Sequence, residues 1–336
     1  MTGPGVLWLA PALSGGLALL LTALLLKTRW QWALDTPNER SLHQNVVPRT
    51  GGLAIMGAAG AGAALILLLG GRLPIWSIGL PALALVLLSL IDDRHGLPVR
   101  VRLPVHLLAA LWFVAPLALA GGVPWPWLPV LVVGVAGFAN LYNFMDGANG
   151  LAGGMAVFGF GSYGVALLGV GGGEGDPALA ALCFCLAAAA AGFLCFNLPG
   201  RIFMGDAGSV PLGFLAAAIG VRGWVAGHWS CWFPLLAFAP FALDGSVTVL
   251  KRMARRERFW EAHREHYYQR LVRMGWSHAR LAACAYLLMA ACGAAAIWAL
   301  VAPPPVLALI FATIALLFIV PAVFVDSRWQ RFDRSP

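Results

Sequence analysis

The chain has 336 residues, 60% of them hydrophobic and 11% charged, with a formal net charge of +8 and a mean hydropathy of +0.82. Soluble domains carry about 25% charged residues. This composition therefore excludes a soluble enzyme or binding module and predicts an all-α, polytopic membrane helical bundle.

A spanning helix needs about 20 apolar residues. In chain order such segments fall near 5–26, 51–70, 75–91, 104–120, 127–142, 150–170, 177–196, 207–222, 231–250, 280–301 and 306–325. About 11 transmembrane helices are expected, in one integral membrane domain over 1–336. No Lys or Arg precedes Lys27, whereas a secretory signal has a basic start, so the first run is expected to be a retained span. Cytoplasmic segments are enriched in Lys and Arg. With the N-terminus outside, the inside segments are 27–50, 92–103, 143–149, 197–206, 251–279 (with Arg280 at its edge) and the tail from 326. They hold 20 of the 22 basic residues and leave Arg72 and Arg222 outside. The expected orientation is a periplasmic N-terminus and a cytoplasmic C-terminus. The net charge is then a topology signal that calls for no nucleic acid, and the lipid bilayer is the partner it implies. Outside turns are short, as in "GGVPWPW" at 121–127 and "APPPV" at 302–306. Trp30, Trp32, Trp125 and Trp127 fall near interfaces, as anchoring aromatic belts do. The six cysteines lie in apolar stretches without a CxxC pair and read as small helix hydrophobes.

The acids sit in a pattern. Asp92 and Asp93 end the third span, Asp146 follows the fifth, Asp206 precedes the eighth, and Asp244 lies late in the ninth. All five fall at cytoplasmic ends, where polar groups face a bundle interior or a watery cavity. A single Asp of this kind caps a helix or pairs with an Arg as often as not. A set at one depth repels itself unless a cation intervenes, and oxygen-only donors suit Mg2+, which shares itself with substrate phosphates. "NFMDGANGLAGG", 143–154, spaces Asn143, Asp146 and Asn149 three apart, with Gly147 and Gly150 each following one of them. Their amides and carboxylate suit a base or sugar. "FMGDAGS", 203–209, sets Asp206 between glycines before a helix, where an anion site is ready-made. In the large loop 251–279, a continuous helix would put His263, His266 and Arg270 on one face, a row that can bind phosphate.

Together these motifs resemble the polyprenyl-phosphate N-acetylhexosamine-1-phosphate transferases, the MraY/WecA group of glycosyltransferase family 4. "DTPNERSLHQNVVPRTGG" (35–52), "DDRHGL" (92–97), "NFMDGANGL" (143–151) and "FMGDAGS" (203–209) match in order. "AHREHYYQRL" (262–271) resembles the His motif of the branch that starts O-antigen and related surface glycans. The resemblance implies a helical bundle in the bacterial inner membrane with a cytoplasmic active site. It implies transfer of a sugar-1-phosphate from a UDP-N-acetylhexosamine to undecaprenyl phosphate, with release of UMP. It implies Mg2+, with Mn2+ as a substitute, and it is compatible with a homodimer. Residue by residue, it makes Asp206 a metal ligand and brings Asp92 and Asp93 to the metal and the lipid phosphate. It assigns Phe203 to stacking on uracil, and Asn143, Asp146, Gly147 and Asn149 to the nucleotide pocket. His43 and Arg49 join the substrate-binding set, and His263, His266 and Arg270 come to the phosphates. Where other branches carry three nearly contiguous histidines, this chain has Tyr267 and Tyr268 after His266. Asn149 stands where the peptidoglycan-precursor enzyme has a second Asp, which favours a simpler sugar nucleotide: UDP-N-acetylglucosamine by default, or a 6-deoxy UDP-hexosamine.

A phosphate monoester has a second pKa near about 6, so the acceptor is largely dianionic at neutral pH. Asp92 and Asp93 are then expected to place the lipid phosphate and metal, with base catalysis by one of them a lesser role. The rival reading, a transporter or flippase for a lipid-linked or anionic substrate, would put its charges near the midplane instead of at the ends of spans.

Overall fold

The computed structural model describes residues 5–28, 34–35, 46–170, 172, 174–257 and 264–333. The first five expected spans become α1 (Val6–Thr28), α2 (Gly51–Leu68), α3 (Leu80–His95), α4 (Val99–Leu119) and α5 (Leu128–Phe144). The next three become α6 (Leu151–Ala166), α7 (Pro177–Asn197) and α8 (Asp206–Val225). The ninth divides into α9 (Trp232–Ala237) and α10 (Ala239–Ala254). A short α11 (Tyr267–Arg273) precedes α12 (His278–Ala299) and α13 (Pro304–Asp333). The strands β1 (Leu34–Asp35) and β2 (Val47–Pro48) form a two-residue antiparallel pair, with Leu34 opposite Pro48.

Among the described residues, nine helices are long and apolar enough to cross a membrane. The other two of the eleven expected spans fall on α6 and on the α9–α10 pair. At 16 residues, α6 is about 24 Å long, short of a bilayer core of about 30 Å. It lies inside the bundle against α7 and α12. The ninth span breaks because Pro240, in the first turn of α10, has no N–H to continue a helix. Phe238 at the break is buried, its ring 5.3 Å from Tyr163, 5.6 Å from Phe160 and 5.9 Å from Phe138.

Of the nine, α8 has the lowest hydropathy and the largest buried share. It packs against α3 and α5, so its surroundings are protein more than lipid, and it tolerates Asp206 at its start. In contrast, α13 is the most apolar and the least buried.

Candidate active site

The site forms where α3, α5 and α8 end or begin together. Gly96, left-handed at φ 66°, caps α3 and turns the chain into α4. That turn folds back on Asp92, whose Oδ1 accepts the Leu97 N–H at 2.5 Å. Its Oδ2 pairs with Arg102, in the first turn of α4, at 2.8 Å. Asp93 faces the other way. Its carboxylate accepts the N–H groups of Asp206 and Ala207 at 3.4 and 3.2 Å and pairs with Arg49 at 3.3 Å. The N-terminus of α8, expected as a ready phosphate site, thus already holds an anion of the chain itself.

Asp206 lies between the two arginines, at 3.8 Å from Arg49 and 3.7 Å from Arg102. Its other partner is the Asn143 amide. Ser209, one turn into α8, donates to the Asn143 Oδ1 at 2.6 Å, which leaves the Asn143 nitrogen for Asp206. Gly205 is required here: its φ is 73°, and a Cβ would stand 2.4 Å from the Arg49 carbonyl oxygen. The Gly205 N–H donates to Asp146, whose carboxyl is pushed well above the usual range by burial and by the nearby Asp206. Four of the five expected acids therefore gather at one place. Asp244, the fifth, instead accepts the N–H groups of Tyr267 and Tyr268 at 2.9 and 3.2 Å. It caps α11, a structural task.

The donor set suits a hard divalent cation: carboxylate and amide oxygens, without thiols. Among the described residues, Asp92, Asp93 and Asp206 share two arginines, and buried charges are paired or coordinate metals. The ligands are not convergent as they stand. Among the described residues, no three Asp, Glu, His or Cys side chains meet at metal-ligand spacing. Arg49 bridges Asp93 and Asp206, and Arg102 bridges Asp92 and Asp206. Both arginine contacts to Asp206 are the longer of their pairs, which marks Asp206 as the acid with most freedom to turn to a cation.

The 143–150 loop is braced by α11. The Tyr268 hydroxyl donates to the Phe144 carbonyl at 2.8 Å and accepts the Gly147 N–H at 3.1 Å. A Cβ on Gly147 would stand 2.3 Å from that hydroxyl oxygen. Asn149 makes two contacts away from the aspartates. Its backbone N–H donates to His278 Nδ1 at 3.1 Å, and its side chain adjoins Gly200, between α7 and α8. Phe203 joins the site through its backbone: its N–H donates to Pro48 at 2.8 Å and its carbonyl accepts from Gly51 at 2.9 Å.

His43 and His263 lie outside the described residues. A helix continuous over 251–279, the condition for the His263, His266 and Arg270 row, is not formed. α10 ends at Ala254, Arg256 turns left-handed at φ 58°, and α11 begins only at Tyr267. His266 is the residue before α11, 3.3 Å from Asp244, with its ring against Tyr268 and Phe144. Arg270 does not reach the aspartates. It pairs with Asp326 of α13 at 2.9 Å and lies over the Trp329 ring, because Asp326 offers a closer carboxylate.

Sequence reasoning missed Arg102, Ser209 and Tyr268. In the sequence Arg102 reads only as topology charge, although it stands ten residues after Asp92. A cleft beside the aspartates is lined by Leu88, Ser89, Asp92, Arg102, His106, Asn140, Asn143, Asp206 and Val210.

A sequence profile of glycosyl transferase family 4 matches residues 75–223, which hold three of the five motifs. A Bacillus subtilis relative, described as a probable undecaprenyl-phosphate N-acetylglucosaminyl 1-phosphate transferase, is 27% identical over 76% of this chain and 74% of its own. The undecaprenyl-phosphate alpha-N-acetylglucosaminyl 1-phosphate transferase of Yersinia pestis is 32% identical over 54% of this chain and 53% of its own. The phospho-N-acetylmuramoyl-pentapeptide-transferase of Synechococcus elongatus is 30% identical over 78% of this chain and 79% of its own. The chain belongs to glycosyl transferase family 4. It is a multi-pass membrane member of that family, and the clustered aspartates lie in motifs that the match covers.

Proposed function

We propose that this protein transfers an N-acetylhexosamine-1-phosphate from a UDP-sugar to undecaprenyl phosphate, at the cytoplasmic face of a bacterial inner membrane. The observation that carries the reading is the meeting of Asp92, Asp93, Asp146 and Asp206, from three separate motifs, at the ends of helices. A lipid phosphate and a water-soluble pyrophosphate can meet only at such a boundary. The names of the Bacillus and Yersinia relatives favour N-acetylglucosamine as the sugar and undecaprenyl phosphate as the acceptor. The His motif favours the initiation of O-antigen or a related surface glycan, and Asn149 disfavours the pentapeptide substrate named for the Synechococcus relative.

In this reading, an oxygen of the lipid phosphate attacks the β-phosphorus of the UDP-sugar. The bond from that phosphorus to the bridging oxygen breaks, and UMP leaves with the oxygen. Undecaprenyl-diphosphate-sugar remains. Mg2+, held by Asp206 with Asp92 and Asp93 nearby, would neutralise charge on the phosphates. Arg49 and Arg102 add fixed positive charge where two anions approach, and pre-set charge of this kind lowers such barriers. Asn143, oriented by Ser209, and Asp146, held by Gly205, offer polar contacts to the nucleotide. The acceptor needs no strong base, so Asp92, already paired with Arg102, places more than it deprotonates.

The test is UMP release by purified protein with undecaprenyl phosphate, Mg2+ and a panel of UDP-sugars. Release that requires lipid and metal supports the reading and names the sugar. Folded protein that releases no UMP with any sugar contradicts it.

A further inference from the structure

The cleft beside Asp92 has two layers, which helix geometry sorts. Residues three or four apart stand above one another on a helix. Within the cleft lining, Asp92 stands one turn from Leu88 and Ser89, Arg102 from His106, Asn143 from Asn140, and Asp206 from Val210. On all four helices the second residue is the one nearer the helix middle. The inner layer is thus about 5 Å deeper and holds no acid and no arginine.

Polar side chains inside a membrane helix are rare and mark function, yet Ser89, His106 and Asn140 are polar. Ser89 and His106 are each 3% exposed. The Asn140 Nδ2 donates to the Ala136 carbonyl at 2.8 Å and stands 2.9 Å from His106 Nδ1. A carbonyl only accepts, so this atom is the amide nitrogen, and its second hydrogen points to Nδ1. Nδ1 is therefore an acceptor. The ring is neutral, its proton is on Nε2, and Nε2–H is the donor left to offer the cleft.

We propose that His106 Nε2–H binds a phosphate oxygen of the membrane-borne acceptor, a polyprenyl monophosphate, beneath the Asp92–Arg102 pair. The proposal rests on the transferase reading above. The lipid arrives from the membrane side, where the inner layer lies, whereas the nucleotide sugar arrives from water and meets the outer layer. In the outer layer the acceptor meets Arg102 and, in that reading, the cation, beside Asp92 and Asp206. A neutral N–H adds attraction at depth without a second buried charge to desolvate.

The test compares wild type, His106→Asn and His106→Gln, as full chains in detergent. Undecaprenyl phosphate affinity is read from tryptophan fluorescence and KM values from UMP release. Asn keeps a polar group beside Asn140 but has none where Nε2 lies, whereas Gln carries an amide donor out to that place. H106N is expected to weaken lipid affinity and raise the lipid KM by about tenfold or more, the scale of a hydrogen bond to a charged group. The KM for the nucleotide sugar should hold, and H106Q should restore most of the lipid affinity. Undecaprenol, which lacks the phosphate, should not separate the variants. Wild-type lipid affinity in H106N, equal losses for both substrates, or a wild type that does not bind the lipid phosphate would overturn the proposal. The affinity readout needs no turnover. A wild type that binds the lipid phosphate but releases no UMP contradicts the transferase reading, and the His106 comparison is still decided by binding.

Discussion

Two charged clusters sit near one another in this molecule and are built differently. In the first, Asp92, Asp93, Asp146 and Asp206 surround two cations, Arg49 and Arg102. In the second, each acid has an evident partner. Asp326 pairs with Lys251 at 2.5 Å and Arg270 at 2.9 Å, Glu257 and Glu265 hold Arg252 and Arg255, and Asp244 caps α11. The balanced cluster fastens α13 and α10 to α11, and so holds Tyr268 against the 143–147 loop. Among the described residues, the unbalanced one has more carboxylates than the two arginines that pair with them. An excess of buried acid distinguishes a place built to receive a cation from one built to hold helices together.

The largest test of that contrast is Asp206→Asn. It should lower UMP release by about 10²–10³-fold, the scale of removing one pre-set electrostatic group, with unfolding temperature in detergent held. Next, Gly147→Ala pushes a methyl into the Tyr268 hydroxyl and should cost about 1–3 kcal/mol of stability, read as an earlier thermal midpoint. Asp326→Asn belongs to the balanced cluster. It should cost about 1–2 kcal/mol, since the pair is partly exposed, and should reduce activity per folded molecule far less than the Asp206 change. Equal activity losses at Asp206 and Asp326 would erase the distinction. At Asp93 the two roles separate. Asp93→Ala should lose about 1 kcal/mol as a lost helix cap together with activity, whereas Asp93→Asn keeps an oxygen for the α8 N–H groups and should lose activity with less stability. The smallest effect is expected of Tyr268→Phe, about 1 kcal/mol for a hydrogen bond to the loop.

Much of this was legible in the chain. Among the described residues, apolar runs located the nine helices long and apolar enough to span, because lipid demands long apolar stretches whatever the tertiary contacts. The clustering of four acids followed from their shared position at span ends. What was not legible depended on partners distant in sequence. Arg270 reads from the sequence as a phosphate ligand, and its ion pair with Asp326, 56 residues away, is not visible there. Asp244 looked like a fifth member of the site, but the start of α11 takes its oxygens. Asp93 looked like a ligand alone, and it also caps α8, 113 residues on. The shortness of α6 goes with its burial within the bundle, which relieves a helix of matching the bilayer, whereas the break at Phe238 follows from Pro240.

The most direct measurement is Mn2+ binding, read by electron paramagnetic resonance on purified protein with UDP present, for wild type, Asp206→Asn and Asp326→Asn. Wild type and Asp326→Asn should bind the ion alike, and Asp206→Asn should lose it. Undiminished binding in Asp206→Asn would contradict the assignment of the unbalanced cluster as the cation site.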